Sequence, residues 1–371
     1  MKRYLFIYGE INGGGAERVL LDILQNFDYS SNSVDLLQIN SGGLLIDEVP
    51  KEVNIISAWN GYPNSYKVAL RCSLWLGCQI LIRHRLKQAI CNKHYDVAIS
   101  FLEGMPIKCH ALITDIADRN YSWVHCDLDK FRYTSDLYCG NEELEAYNSM
   151  DAVVSVSKDT ADAFARRFPT CKAKSMVVYN PIDKRKILRM ASGKPTEFQD
   201  FTISICGRLT PPKKTDRVLR LAKRLKANKR KVKIQLIGDG ELREELQSQA
   251  KELDVMDIVE FVGFTRNPYP YIKSSQLLLS TSCAEGFSLV ICEAMTLGVP
   301  VVATKTAGPM EILDNNKYGL LCDHDDDSIY KAVCRMIDND DLRIQYSELG
   351  KLRVEKFSIE NTMNEIYKLS K

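Results

Sequence analysis

Short apolar runs alternate with stretches of helical periodicity along both halves of the chain. Residues 4–8 form a five-residue apolar run that leads into a glycine cluster and predicts a buried first strand. Val19, Leu20, Ile23 and Leu24 then recur at helical spacing, and 34–39 predicts a second strand. Val68, Cys72, Trp75, Ile82, Leu86 and Ile90 keep near-helical spacing and predict one long helix ahead of a strand at 96–101. Residues 121–125 and 152–156 predict two more short buried strands. At 177–183 a strand ends in an Asn180-Pro181 turn, and the polar segment to Asp200, with Gly193 and Pro195, marks a domain boundary. A second series follows: strand 201–206, helix 216–228, strand 233–237, helix 242–253, strands 258–261 and 277–280, helix 289–297 and strand 299–304. Phe357, Ile359, Met363, Ile366 and Tyr367 predict a last amphipathic helix. This alternation predicts an α/β chain of two facing Rossmann-like domains, with a ligand cleft at the carboxyl ends of parallel strands. The expected divisions are 1–183, 184–352 and a C-terminal helix, 353–371, that crosses back to the first domain.

Composition narrows the classes. A chain of 371 residues suits two domains, and 50 Lys+Arg against 48 Asp+Glu leaves a net charge of +2. With 45% apolar and 26% charged residues, a disordered chain, a collagen-like chain and a polybasic nucleic-acid binder are excluded. The longest apolar candidate, 74–82, is about half the length of a membrane span. The two basic residues before the run at 4–8 precede too short an apolar segment for a signal peptide. Twelve cysteines are scattered without a C-x-x-C pair, and Cys206, Cys283 and Cys292 sit in apolar runs, so a reducing, cytoplasmic setting is expected. One asymmetry changes the picture. Between Val53 and Tyr95 there is no acidic residue, while Lys67, Arg71, Arg83, Arg85, Lys87 and Lys93 supply six positive charges, which suggests an anionic partner at one face.

Candidate chemistry sits where strands end. Gly13-Gly14-Gly15 follows a strand and opens a helix, a place for a phosphate or a close sugar, or simply a tight turn. Its spacing fails the dinucleotide fingerprint, because Arg18 stands where the last glycine belongs, and a dehydrogenase reading fails with it. In Gly207-Arg208-Leu209-Thr210-Pro211-Pro212-Lys213-Lys214 a forked guanidinium and a mobile ammonium follow a strand, which suits a diphosphate or a solvated basic loop. Glu285 precedes a predicted helix and Glu293 lies inside it among Val290, Ile291, Ala294 and Met295, where a carboxylate needs a partner. Two helical residues eight apart would rise about 12 Å, so the pair suits two ends of an elongated ligand better than a glycosidase couple. His125 ends a short apolar strand. Asp127 and Asp129 nearby lack further ligands for a cation and read as a loop feature.

Taken in order, Gly13-Gly14-Gly15-Ala16-Glu17-Arg18, Trp123-Val124-His125 with Asp127, Asn180-Pro181, Gly207-Arg208-Leu209 with Lys213, and Gly238-Asp239-Gly240-Glu241-Leu242 lead to the most specific stretch. That stretch is E-G-F-S-L-V-I-C-E-A-M, containing Glu285 and Glu293, followed by G-V-P-V-V-A-T. The set resembles the retaining GT-B-fold glycosyltransferases of family 4, glycosyl transferases group 1, over nearly the whole chain. The resemblance implies retaining transfer from a nucleotide-diphosphate sugar, a UDP-sugar by family frequency, with no metal or other cofactor. The implied acceptor is a glycan or lipid-linked glycan in bacterial-type surface polysaccharide assembly. Arg208 and Lys213 would hold the diphosphate, Glu293 the ribose hydroxyls, and Glu285 the transferred sugar beside the backbone of Gly286, Phe287 and Ser288, with Gly207 and Leu289 also among the donor-binding residues. Gly14 and Gly15 would approach the diphosphate, and His125 the donor sugar near the reaction centre. One departure stands out: Lys214 follows the loop lysine where the family usually has glycine, and Pro211 and Pro212 stiffen that loop. The acid-free segment then reads in two ways. Arg71, Arg83, Arg85 and Lys87, with Trp75, Leu76, Leu81 and Ile82, would meet anionic lipid on the cytoplasmic face of a membrane or the acceptor's pyrophosphate, or they form an ordinary helix with a solvated basic face. A nucleotide-sugar epimerase and a non-catalytic nucleotide-sugar binder remain alternatives on the same fold, and no nucleic-acid partner is expected.

Overall fold

The apolar runs pair only in parallel among the residues, 1–193 and 200–371, that the computed structural model describes. They build one sheet in each of two units, Met1–Pro181 with Ile359–Lys371, and Ile182–Ser358. In the first unit β1 (Lys2–Tyr8), β2 (Asn32–Asn40), β3 (Asn54–Trp59), β4 (Tyr95–Ser100), β5 (Ala117–Val124), β6 (Ala152–Ser155) and β7 (Lys174–Val177) stand in the order β3-β2-β1-β4-β5-β6-β7. In the second, β8 (Phe201–Cys206), β9 (Val232–Ile237), β10 (Val259–Gly263), β11 (Leu277–Ser280), β12 (Val301–Thr304) and β13 (Leu320–Cys322) stand in the order β10-β9-β8-β11-β12-β13. Parallel strands need crossovers that cover both faces, so central strands are continuous apolar runs. Tyr4 to Tyr8 of β1 are accordingly all buried, with Tyr4 opposite Val34 on one side and Val97 on the other. Strand order reverses between β1 and β4 in one sheet and between β8 and β11 in the other, which opens a crevice at each set of carboxyl ends.

The expected long helix is two. α1 (Gly15–Gln25) follows β1, but the later periodic stretch divides into α2 (Asn64–Leu76) and α3 (Ile80–Ile90). Gly77 caps α2 in the left-handed region at φ 62°, and its N–H bonds Cys72 O. The break rotates the two stripes apart: Ile82, Leu86 and Ile90 are buried, whereas Val68 and Trp75 are exposed. Strand β3 was not predicted. It is an edge strand whose apolar positions are only half covered, so its pattern is diluted.

The polar segment after Pro181 also contains a helix, Lys184–Met190, whose N-cap Asp183 accepts from the Lys186 N–H at 2.9 Å. Pro195 lies outside the described residues. The chain changes unit at 181/182 and 358/359, where the pattern suggested 183/184 and 352/353. Residues 353–358 stay with the second unit, where Phe357 O accepts the Ile182 N–H at 2.7 Å and the Phe357 ring meets Phe287 edge-on at 5.2 Å. The helix Ile359–Lys368 packs on the first unit, with Tyr367 Oη accepting from the Asp28 N–H and Tyr121 Oη donating to Leu369 O. All twelve cysteines are free, and no helix of the described residues is long and apolar enough to cross a membrane.

A Cβ at Gly77 would meet nothing within 4 Å, so only backbone strain opposes a side chain there. Gly77→Ala should lower stability by about 1 kcal/mol. An unchanged urea midpoint would show that the α2–α3 break does not depend on that conformation.

Candidate active site

The crevice between β8 and β11 gathers most of the chemistry. The chain leaving β8 runs as an extension of the sheet: Gly207 N–H donates to Ile237 O and Leu209 N–H to Asp239 O, each at 2.9 Å. Such close approach needs glycine opposite. A Cβ at Gly238 would overlap Gly207 O, and one at Gly240 would overlap Leu209 O, which explains both glycines of the Gly238-Asp239-Gly240 stretch. A 3₁₀ turn, Pro211–Lys213, then leads to the helix Thr215–Ala227. Lys214 between them is left-handed at φ 51°, ψ 43°. This is the position at which the resembling family carries glycine, and the lysine adopts glycine's conformation at a cost of about 1 kcal/mol.

Chain leaving β11 is stitched to this turn. Thr281 Oγ1 donates to Lys213 O or Lys214 O, and the Cys283 N–H donates to Pro212 O at 2.8 Å. Together these loops line an open pocket bounded by Gly207, Arg208, Lys213, Thr215, Thr281 and Ser282. Lys213 Nζ lies 2.5 Å from Glu285 Oε2, and Ser282 Oγ donates to the same oxygen at 3.3 Å. Arg208 is exposed and has no partner among the described residues. The pocket therefore holds one self-neutralised pair and one free guanidinium.

Glu285 precedes the helix Leu289–Thr296 and is not helical, so the rise expected for two helical carboxylates does not apply. Its carbonyl accepts from the Gly308 N–H at 2.8 Å, and Gly308 packs tightly under Phe287. Phe287 is buried against Phe357, which leaves only the backbone of Gly286, Phe287 and Ser288 for a ligand. Ser288 is the N-cap, but its Oγ is buried and unpartnered. Val290 of this helix also lines the pocket, so its free N–H groups and dipole favour an anion there. Glu293 accepts from Tyr269 Oη at 3.1 Å. The apolar neighbours of Glu293 signalled that a partner must exist; nothing in the sequence pointed to Tyr269.

In the first unit, Gly14 caps α1 and Gly15 is its first residue. The Glu17 carboxylate folds back over Gly14, so an acid already stands at that N-terminus. His125 leaves β5 with its ring 5.0 Å from that of Phe101 and its N–H donating to Glu103 Oε2 at 2.9 Å. Nε2 is sealed from solvent and unpartnered. Burial holds the imidazole below its ordinary pKa, against the Glu103 charge and a hydrogen bond to the Phe101 main chain, so the ring is neutral at pH 7. Glu103 was missed because a single acid between Leu102 and Gly104 carries no spacing signal. Asp127 Oδ1 accepts from the Asp129 and Lys130 N–H groups, and Asp129 pairs with Arg166 at 3.2 Å. Among the described residues no three His, Cys, Asp or Glu side chains are grouped to share a metal.

Most of the basic stretch is engaged. Arg85 donates to Ala58 O and Gln88, Lys87 pairs with Asp115, and Arg83 lies 3.7 Å from that same aspartate. Arg71 has no partner among the described residues. Ile82, expected at the docking face, is buried at 1% exposure, whereas Trp75 is 82% exposed beside exposed Leu76, Ile80 and Leu81.

Comparison with known proteins adds a family and a fold. Residues 189–353 match the family described as glycosyl transferases group 1. The N-acetylgalactosamine-N,N'-diacetylbacillosaminyl-diphospho-undecaprenol 4-alpha-N-acetylgalactosaminyltransferase of Campylobacter jejuni is 30% identical over 213 residues, 57% of this chain and 57% of that protein. The GalNAc-alpha-(1->4)-GalNAc-alpha-(1->3)-diNAcBac-PP-undecaprenol alpha-1,4-N-acetyl-D-galactosaminyltransferase of the same species is 24% identical across 100% of this chain and 98% of its own. The crystal structure of Anabaena HepE with UDP and glucose superposes with a TM-score of 0.76 over 99% of both chains at 20% identity. The shared fold is GT-B.

Relief of the left-handed strain at the loop lysine is measurable. Lys214→Gly should raise stability by up to about 1 kcal/mol in urea unfolding. A lowered midpoint would mean that the lysine side chain contributes more than its backbone strain costs.

Proposed function

From the match of residues 189–353 to the glycosyl transferases of group 1, we propose that the chain transfers a sugar from a nucleoside-diphosphate sugar, with retention and without a metal. The acceptor is a glycan or lipid-linked glycan of bacterial-type surface polysaccharide assembly; the Campylobacter relatives are named for undecaprenol-diphosphate-linked saccharides. UDP is the nucleotide, as in the HepE complex. The observation that carries this reading is the β8–β11 pocket, where Arg208 and Lys213 meet the N-terminus of the Leu289–Thr296 helix. Two cations and a ring of free N–H groups suit a diphosphate and gain strength as charge builds on it during bond breaking. Glu293 accepts from the ribose hydroxyls while Tyr269 holds its other oxygen. Glu285, drawn from Lys213 when phosphate arrives, accepts from hydroxyls of the transferred sugar. On the first unit, His125 stands over the donor sugar near the reaction centre, and Gly14 and Gly15 offer backbone N–H groups.

In the retaining step the acceptor hydroxyl attacks the anomeric carbon on the face that the phosphate leaves. The C–O bond to phosphate breaks as the new C–O bond forms, and the hydroxyl proton passes to the departing phosphate oxygen. No side chain need form a covalent intermediate. Arg208→Ala and Lys213→Ala should each lower kcat by about 10²–10³. Nucleotide release from UDP-, GDP- and ADP-sugars, with EDTA or Mg²⁺ and with or without lipid-linked acceptors, is the assay. Wild-type turnover in both variants would remove the diphosphate assignment. Acceptor-independent turnover that inverts the sugar would reveal an epimerase, and abolition by EDTA would remove the metal-free step.

We also assign peripheral contact with an anionic bilayer to the turn between α2 and α3. Trp75, Leu76, Ile80 and Leu81 are exposed together, and Lys67 and Arg71 of α2 lack partners among the described residues. Burying a large apolar side chain contributes about 1.5–3 kcal/mol, so Trp75→Ser with Leu76→Ser should weaken sedimentation with anionic vesicles by tenfold or more. Equal sedimentation of both proteins, or none with any vesicle, would remove the contact.

A further inference from the structure

The corner where β4 and β5 end contains a carboxylate that the reaction above does not use. Glu103 is 3% exposed and forms no ion pair among the described residues. Two donors take the place of a cation, one on each oxygen: the His125 N–H at 2.9 Å and Tyr133 Oη at 2.7 Å. A buried carboxylate without a countercharge is expensive unless it is fully hydrogen-bonded, and here all its donors come from one loop, residues 125–133. The two ends of that loop converge on it. Between them the loop is turned by Asp127, and beyond Tyr133 the chain is held by Thr134 donating to Glu143 and Tyr138 donating to Gly104 O. Glu103 lies on the connection leaving β4, at the reversal of strand order, next to the ring whose Nε2 is buried and unpartnered.

We infer that Glu103 is a positioning residue for His125: its carboxylate fixes the main chain from which the imidazole projects and locks the far end of the loop through Tyr133. The inference rests on the reading of His125 as a substrate contact. The titratable groups at this corner are Glu103, Cys126, Asp127 and Tyr133, with Tyr8 at the end of β1 and Tyr138 and Tyr147 on the far side of the loop. Burial raises the Cys126 thiol and the Tyr133 phenol, which keeps both protonated. The Glu103 carboxylate is the charge that opposes the desolvation of His125 and tempers its lowered pKa.

Amide hydrogen exchange and imidazole NMR titration of the full chain test this, together with turnover of the UDP-sugar selected by the panel above. In Glu103→Ala the His125 amide should exchange tenfold or more faster, and kcat should fall at least tenfold while KM for the donor moves less than threefold. Glu103→Gln keeps an oxygen for the His125 N–H and an amide that can donate to Tyr133, so it should restore amide protection and most turnover. It removes the charge, so His125 should titrate at lower pH than in the wild type. Wild-type exchange and kcat in Glu103→Ala would overturn the inference; should that variant fail to fold, an unchanged His125 titration in Glu103→Gln would do so. His125→Ala separates the two readings. If it turns over like the wild type, the role of His125 itself is wrong; if it is inactive while Glu103→Ala is fully active, only the positioning role fails.

Discussion

Strictly parallel pairing is the constraint on which the rest of this structure depends. Each strand must be followed by a crossover, and where strand order reverses, neighbouring connections part and leave the carboxyl ends of two strands uncovered. The reversals fall at β1–β4 and β8–β11. The glycine turn and Glu103 leave the first pair, with His125 one strand over, while Gly207 to Lys213 and Ser280 to Glu285 leave the second. Beyond the strand ends the backbone is held by neighbouring connections, as Gly207 and Leu209 are by Ile237 and Asp239, and the side chains that follow face the crevice.

Electrostatics at the second crevice follows from that placement. Lys213 and Glu285 come from the connections after different strands and neutralise one another at 2.5 Å, which lets two charges sit partly buried. Arg208 has no such relief among the described residues and remains in solvent. A dianionic ligand would find one cation free, a second released only by exchange with Glu285, and a helix terminus beside both. The first crevice is organised differently. Its histidine is neutral by burial, and its acid is held by hydrogen bonds from a loop and not by a cation.

Composition misled where countercharge came from far along the chain. Residues 53–95 contain no acid, yet Asp115 reaches Lys87 and Arg83, and Asp35 reaches Lys93. What survives as an unpaired feature is the turn between α2 and α3, exposed because Gly77 broke the helix and turned its apolar residues away from the core stripe.

Local physics made much of the protein legible in advance. Apolar runs of strand length separated by helical periodicity leave few arrangements other than parallel α/β layers, and Gly207-Arg208 with Lys213 and the Glu285–Glu293 stretch declare their chemistry by residue type. Burial around Glu293 even required a hydrogen-bond partner. The identity of that partner, Tyr269, was decided only in three dimensions, as were the Lys213–Glu285 pair, the buried acid behind His125 and the glycine approach of 238 to 207. Each joins residues from different strands or connections, and periodicity within a segment carries no information about which segment will lie beside it. Sequence determines what each stretch can bury; which charges then meet is settled by the order in which the strands assemble.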